Sequence, residues 1–151
     1  MDINNLYQEL IIDHGTCPRN FSSLPNPTVK EEGFNPLCGD KIILFLEIKE
    51  NIITQASFQG HGCAISTASA SIMTENLIGK TTNEVIKLIE NFTNLIINPN
   101  NNNNLQSEIP AKLIALISVK NYPSRVKCAT LAWHTLEAAL KKTQDFINDK
   151  Q

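Results

Sequence analysis

The sequence predicts an α+β fold: an N-terminal helix, a small antiparallel sheet of about three strands, and a helical C-terminal half. Three observations carry this expectation. Apolar residues recur at helical spacing over the first fifteen positions. Two β-branched, apolar runs then follow, separated by only two residues. Beyond residue 64 the apolar pattern returns to a helical period and keeps it almost to the end.

The elements follow in order. Ile3, Leu6, Tyr7, Leu10 and Ile11 mark one face of a first helix, which should stop near Gly15, before Cys17-Pro18. Residues 17–37 are rich in Pro, Asn and Ser and read as a long connection, with one short strand around Thr28–Glu31. Lys41–Lys49 and Ile52–Gln59 are strand-like runs, and Glu50-Asn51 between them fits a two-residue hairpin turn. The first of these strands is too apolar for an exposed edge, so helices should cover at least one of its faces. Gly60-His61-Gly62 ends the second strand. Ile65, Ala68, Ile72, Met73 and Leu77 then stripe a helix ending near Gly79.

Thr81-x-x-Glu84 has the capping-box pattern and opens another helix, striped by Val85, Leu88, Ile89 and Phe92. Asn98–Asn104 is a low-complexity stretch around Pro99, read with its neighbours to about residue 107 as a mobile surface insertion. Ala111–Val119 is a short apolar helix. The last helix begins around Pro123–Arg125 and carries the cleanest stripe: Cys128, Leu131, Ala132, Thr135, Leu136, Ala139 and Leu140.

The chain has 151 residues, which suits a single domain over 1–151 with a real core. Apolar residues make up 42%, charged residues 19%, and the net charge is −2, an ordinary globular composition. No cluster of Lys and Arg provides the footprint of a nucleic-acid binder. The start of the chain lacks a basic region followed by an apolar one, and no run approaches the roughly 18–20 apolar residues of a membrane span. The expectation is a cytoplasmic protein with reduced thiols, whose cysteines serve as ligands, nucleophiles or packing.

Four cysteines therefore need separate readings. Cys38-Gly39-Asp40 follows Asn35-Pro36 and precedes a strand. In extended chain, residues two apart point to one side, so this thiol and carboxylate could converge on an ion. Alternatively, Asp40 caps the turn and Cys38 is a small buried hydrophobe. Cys63 lies at a strand-to-helix junction, where free amides and the helix dipole favour a thiolate suited to metal ligation or nucleophilic attack; a hinge cysteine in the core is the competing reading. Cys128 lies on the apolar stripe of the last helix and reads as core from periodicity alone. Arg125 and Lys127 beside it would support a thiolate. Cys17 has no such framing and reads as incidental. No Cys-x₂₋₄-Cys pair is present, so a zinc knuckle is not indicated.

The motifs together resemble the U-type iron–sulfur assembly proteins, the IscU/SufU family. The resemblance rests on Leu6-Tyr7 through Ile12-Asp13-His14, Pro18-Arg19-Asn20, Asn35-Pro36-x-Cys38-Gly39-Asp40, Gly60-x-Gly62-Cys63-Ala64-Ile65-Ser66 with Ala68-Ser69-Ala70-Ser71-x-Met73, and Arg125-x-Lys127-Cys128-Ala129-x-Leu131-x-Trp133. It spans nearly the whole chain. Within the family it is closer to the SufU branch: an IscU-like protein has histidine directly before its third cysteine, where this chain has Lys127. The Arg-x-Lys-Cys-Ala sequence and the extra segment between the second and third cysteines, which contains Asn98–Asn104, are also SufU-like.

The resemblance implies a zinc ion held by Cys38, Asp40, Cys63 and Cys128, with iron or a transient iron–sulfur cluster as the alternative occupant. It implies a sulfur relay, not a stand-alone enzyme: persulfide sulfur accepted from a pyridoxal-phosphate cysteine desulfurase of the SufS type and passed to downstream iron–sulfur assembly proteins. Cys38, on a loop between Pro36 and Gly39, is the expected persulfide acceptor, and Cys128 is the alternative. A scaffold for a labile cluster and a purely structural zinc domain are the competing functions. Two departures stand out. His61, two residues before Cys63, is usually not histidine in the family and could compete with Asp40 as a ligand or simply be an exposed turn residue. Cys17 also occupies a position that is usually not cysteine. His14 and His134 are expected to be structural, with His14 as a cation favourable to the end of the first helix.

Overall fold

The computed structural model of the protein describes residues 3–97 and 109–149. Helix α1 spans Ile3–Thr16, strands β1, β2 and β3 span Val29–Asn35, Asp40–Lys49 and Ile52–His61, and helices α2 and α3 span Ala64–Glu75 and Thr82–Ile97. Helix α4, Ala111–Leu116, runs into two 3₁₀ turns, Ile117–Asn121 and Pro123–Arg125, before the long α5, Val126–Asp149. The Asn-rich stretch predicted as an insertion lies outside the described residues. Among those described, no helix is long and apolar enough to cross a membrane.

The three strands form one antiparallel sheet in the order β1-β2-β3. The predicted turn joins β2 to β3: Glu50 and Asn51 both adopt left-handed backbone, φ 52° and 64°, the twist that a two-residue hairpin requires. Strand β1 is longer than the Thr28–Glu31 expected. It runs to Asn35, paired with Asp40, because Glu31-Glu32-Gly33 extends along the sheet edge despite its polar composition. An edge strand tolerates those charges and is protected by them from pairing with another chain.

Helices α2 and α5 lie against the sheet and α1 lies on α2. The predicted stripe of α5 is buried along its whole length, from Cys128 to Leu140, as is that of α3 from Val85 to Phe92. Trp133 of α5 stacks on Phe92 of α3 with ring centroids 4.2 Å apart, fixing the two helices together. The capping box forms as predicted: the Glu84 amide donates to Thr81 Oγ1, and the Thr81 amide donates to Glu84 Oε1, each at 3.1 Å. Helix α2 stops at Glu75, four residues short of Gly79, because the Asn76 amide closes back on the carbonyls of Met73 and Thr74.

Candidate metal centre

The candidate site is built where three chain junctions meet: the β1–β2 loop, the start of α2 and the start of α5. The loop is tied by its own polar groups. Asn35 Oδ1 accepts from the Leu37 amide at 3.1 Å, and the Asn35 carbonyl accepts from the Gly39 amide at 2.8 Å. Gly39 turns the chain with φ +73°, a conformation that favours glycine. Cys38 is thus carried on an exposed turn, not on the extended backbone that the sequence spacing suggested, and it still meets Asp40. The Cys38 thiol donates to Asp40 Oδ2 at 3.1 Å.

Asp40 is the hub. It is 1% exposed, and none of the ion pairs among the described residues includes it. Its Oδ1 accepts from the Cys63 amide at 2.9 Å, while its Oδ2 lies 3.8 Å from Cys63 Sγ. Gly62 makes this approach possible, since a Cβ there would stand 2.6 Å from Oδ1 of Asp40. Cys63 itself is the N-cap of α2, its sulfur accepting from the Ser66 amide at 3.4 Å. The junction reading of the sequence therefore holds as geometry.

Cys128 enters from the first turn of α5, 3.7 Å from Cys38 Sγ and 2% exposed. Its thiol is pushed up to about 12, first by burial and then by hydrogen bonding with Cys38 and Cys63. Arg125 and Lys127 were expected to support a thiolate here. Both side chains are exposed, and burial overrides them. Without a cation, Cys128 is a neutral thiol.

Ligand atoms of Cys38, Asp40 and Cys128 all lie within 4.8 Å of one another, a grouping that could hold a metal ion. Cys63 does not join that group and borders it through Asp40. The donor set suits a thiophilic divalent cation. A buried carboxylate with no cationic partner is costly, and an ion among the thiols would neutralise it and displace the Cys128 proton.

Other predicted residues stand apart. His61 pairs with Lys41 across the sheet, so its side chain takes the face opposite to Asp40, and it is exposed. Cys17 is also exposed. His134 is exposed beside Phe34, Pro36, Leu37 and Lys127, which line a groove of about 350 Å³ next to the Cys38 loop. His14 is buried, and burial lowers its pKa, so it is not the cation expected at the end of α1. Sequence reasoning missed Asn35 and Ser66 as supports of the site, although both lie inside the motifs quoted above.

The family model described as the NifU-like N-terminal domain matches residues 6–129, which include all of these junctions. The chain belongs to that family. This NifU-like chain is 42% identical over 138 residues to an iron–sulfur cluster assembly scaffold protein IscU of Thermotoga maritima, covering 91% of this chain and 94% of that one. It is 34% identical over 143 residues to the zinc-dependent sulfurtransferase SufU of Bacillus subtilis, covering 95% of each. Among solved structures it is similar to one from Fervidobacterium islandicum, titled as a candidate iron–sulfur cluster assembly scaffold protein for the SUF system. That structure matches with a TM-score of 0.80 and 37% identity, covering 91% of this chain and 98% of that one.

Proposed function

We propose that this NifU-like chain is a cytoplasmic sulfur acceptor in iron–sulfur cluster assembly, taking persulfide sulfur from a SufS-type cysteine desulfurase and relaying it to downstream assembly proteins. The observation that carries the reading is the buried, cation-free Asp40 carboxylate ringed by three cysteine sulfurs from three separate elements. In this reading Cys38, Asp40, Cys63 and Cys128 hold zinc, which when bound keeps the thiols deprotonated and guarded against oxidation without redox chemistry of its own.

Cys38 is the acceptor. Its turn is exposed, whereas Cys128 is enclosed. The Cys38 thiolate attacks the outer sulfur of the desulfurase persulfide, one S–S bond forms as another breaks, and the desulfurase thiolate departs. Phe34 and Leu37, 61% and 78% exposed, offer a partner an apolar surface beside that turn. Relatives with both IscU and SufU names match, so overall identity does not choose the branch. Lys127 in place of a histidine is what favours sulfur relay over a cluster scaffold.

The test combines metal analysis of the purified protein with persulfide mapping by mass spectrometry after adding desulfurase and cysteine. Bound zinc, a persulfide that disappears in Cys38→Ala, and faster desulfurase turnover are expected. An oxygen-labile iron chromophore after reducing reconstitution, with no sulfur uptake, would establish the scaffold reading instead.

A further inference from the structure

Tyr7, in the second turn of α1, is 6% exposed, yet its hydroxyl has no hydrogen-bond partner. A buried phenol in that state has lost its water and gained nothing, so it calls for a physical reason. The ring is firmly placed. It stacks on Tyr122, with centroids 5.9 Å apart and planes 15° from parallel. Tyr122 leads directly into the turn Pro123–Arg125 and so to the first turn of α5, which carries Cys128. On its other side, α1 runs close against the start of α2, where a Cβ on Gly15 would stand 3.0 Å from that of Ala64, the neighbour of Cys63.

The phenol oxygen accordingly feels the charges of Tyr122, Cys63, Arg125 and Cys128, with the field of Cys63 stronger than that of Cys128. What it lacks is an acceptor. In the metal-free state the cysteines are poor ones: Cys128 is protonated, and Cys63 lies beside the Asp40 carboxylate. A thiolate accepts far more strongly than a thiol.

We propose that the Tyr7 hydroxyl is a hydrogen-bond donor held for the Cys63 thiolate, completing the centre when a thiophilic cation takes the cysteine protons. The inference rests on the metal-binding reading above. Tyr7 is a positioning residue, acting on the ion through Cys63. The Ser66 amide supplies one donor to that sulfur and Tyr7 supplies the second. Donors of this kind orient a ligand and temper its electron density. The competing explanation is that the hydroxyl is simply stranded by the stack on Tyr122.

The test is Tyr7→Phe in the full chain, loaded separately with zinc and with cobalt(II), and Tyr122→Phe as the control. We expect Tyr7→Phe without metal to be at least as stable as wild type, because it removes an unpartnered polar atom. It should hold zinc roughly tenfold more weakly against a chelator. Its thiolate-to-cobalt charge-transfer band should move to lower energy, since the sulfur loses a donor. Tyr122→Phe keeps the stack and should keep wild-type affinity and band. Wild-type affinity and an unmoved band in Tyr7→Phe would overturn the inference alone. An equal shift in Tyr122→Phe would also overturn it. A wild-type protein that holds neither zinc nor cobalt would overturn both this inference and the metal reading, and the wild-type arm shows that before any variant is compared.

Discussion

The carboxylate of Asp40 accepts the backbone amide of Cys63 at 2.9 Å, so a side chain on β2 caps the entry to α2 and ties together two sequence motifs 23 residues apart. The contact depends on the bare backbone of Gly62. In Gly62→Ala the new methyl would stand 2.6 Å from Oδ1 and 3.0 Å from Cγ of Asp40, too close to keep. Asp40 would be displaced and the cysteines would lose their common neighbour. Metal affinity in a chelator competition should fall about tenfold or more, the usual cost of disturbing a ligand's support. The circular dichroism spectrum should stay that of the wild type, since the glycine lies outside the core.

Ser69→Ala tests how α5 is held at the height of Cys128. Ser69 Oγ donates to the Ala129 carbonyl at 2.6 Å and accepts from Trp133 Nε1 at 3.1 Å, all in the buried interior. Removing the hydroxyl leaves the indole N–H unpaired in the core. A buried donor without a partner costs about 1–3 kcal/mol. Urea denaturation should report a loss of that size.

Thr81→Ala separates stability from the site. The reciprocal Thr81–Glu84 bonds open α3, which contributes no candidate ligand. Losing the cap should lower stability by about 1 kcal/mol. Metal affinity by the same chelator competition should be unchanged.

These variants also mark what the sequence made legible. The stripes of α3 and α5, the Glu50-Asn51 turn and the Thr81 capping box were all readable, because each depends on residues close together along the chain. Cys63 was readable for the same reason: glycines before it and a helical stripe after it place it at a helix start. Cys128 was not. Its thiol lies on the same stripe as Leu131 and Leu136, and only packing against the β1–β2 loop brings it 3.7 Å from Cys38. Tyr7 was equally hidden, since a missing hydrogen-bond partner is a property of the assembled interior. The charge on His14 was misjudged because helix position is a local feature, whereas burial by α2 and α4 is a long-range one.

His14 gives the pH prediction. Its Nδ1 lies 2.7 Å from Ser71 Oγ, and Lys112 Nζ lies 3.4 Å from Nε2. Lysine only donates, so Nε2 is the acceptor and Nδ1–H donates to the serine. Ser71 Oγ also accepts from the Arg19 amide at 2.8 Å, which makes the ring a link between α1, α2 and α4. Burial first, then the positive fields of Arg19 and Lys112, lower the pKa of His14, against weaker opposition from Glu75 and Asp13. The unfolded chain takes up this proton near pH ~6.5, and the folded chain does so only at lower pH. The neutral ring's contribution is therefore fully present above ~6.5, falls as the pH drops below that value, and levels off once the folded state is also protonated. In His14→Gln the amide can still donate to Ser71 but cannot titrate. Urea midpoints at pH 7.5 and 5.5 should fall less for this variant than for wild type. Equal falls would assign the acid sensitivity to the carboxylates and not to His14.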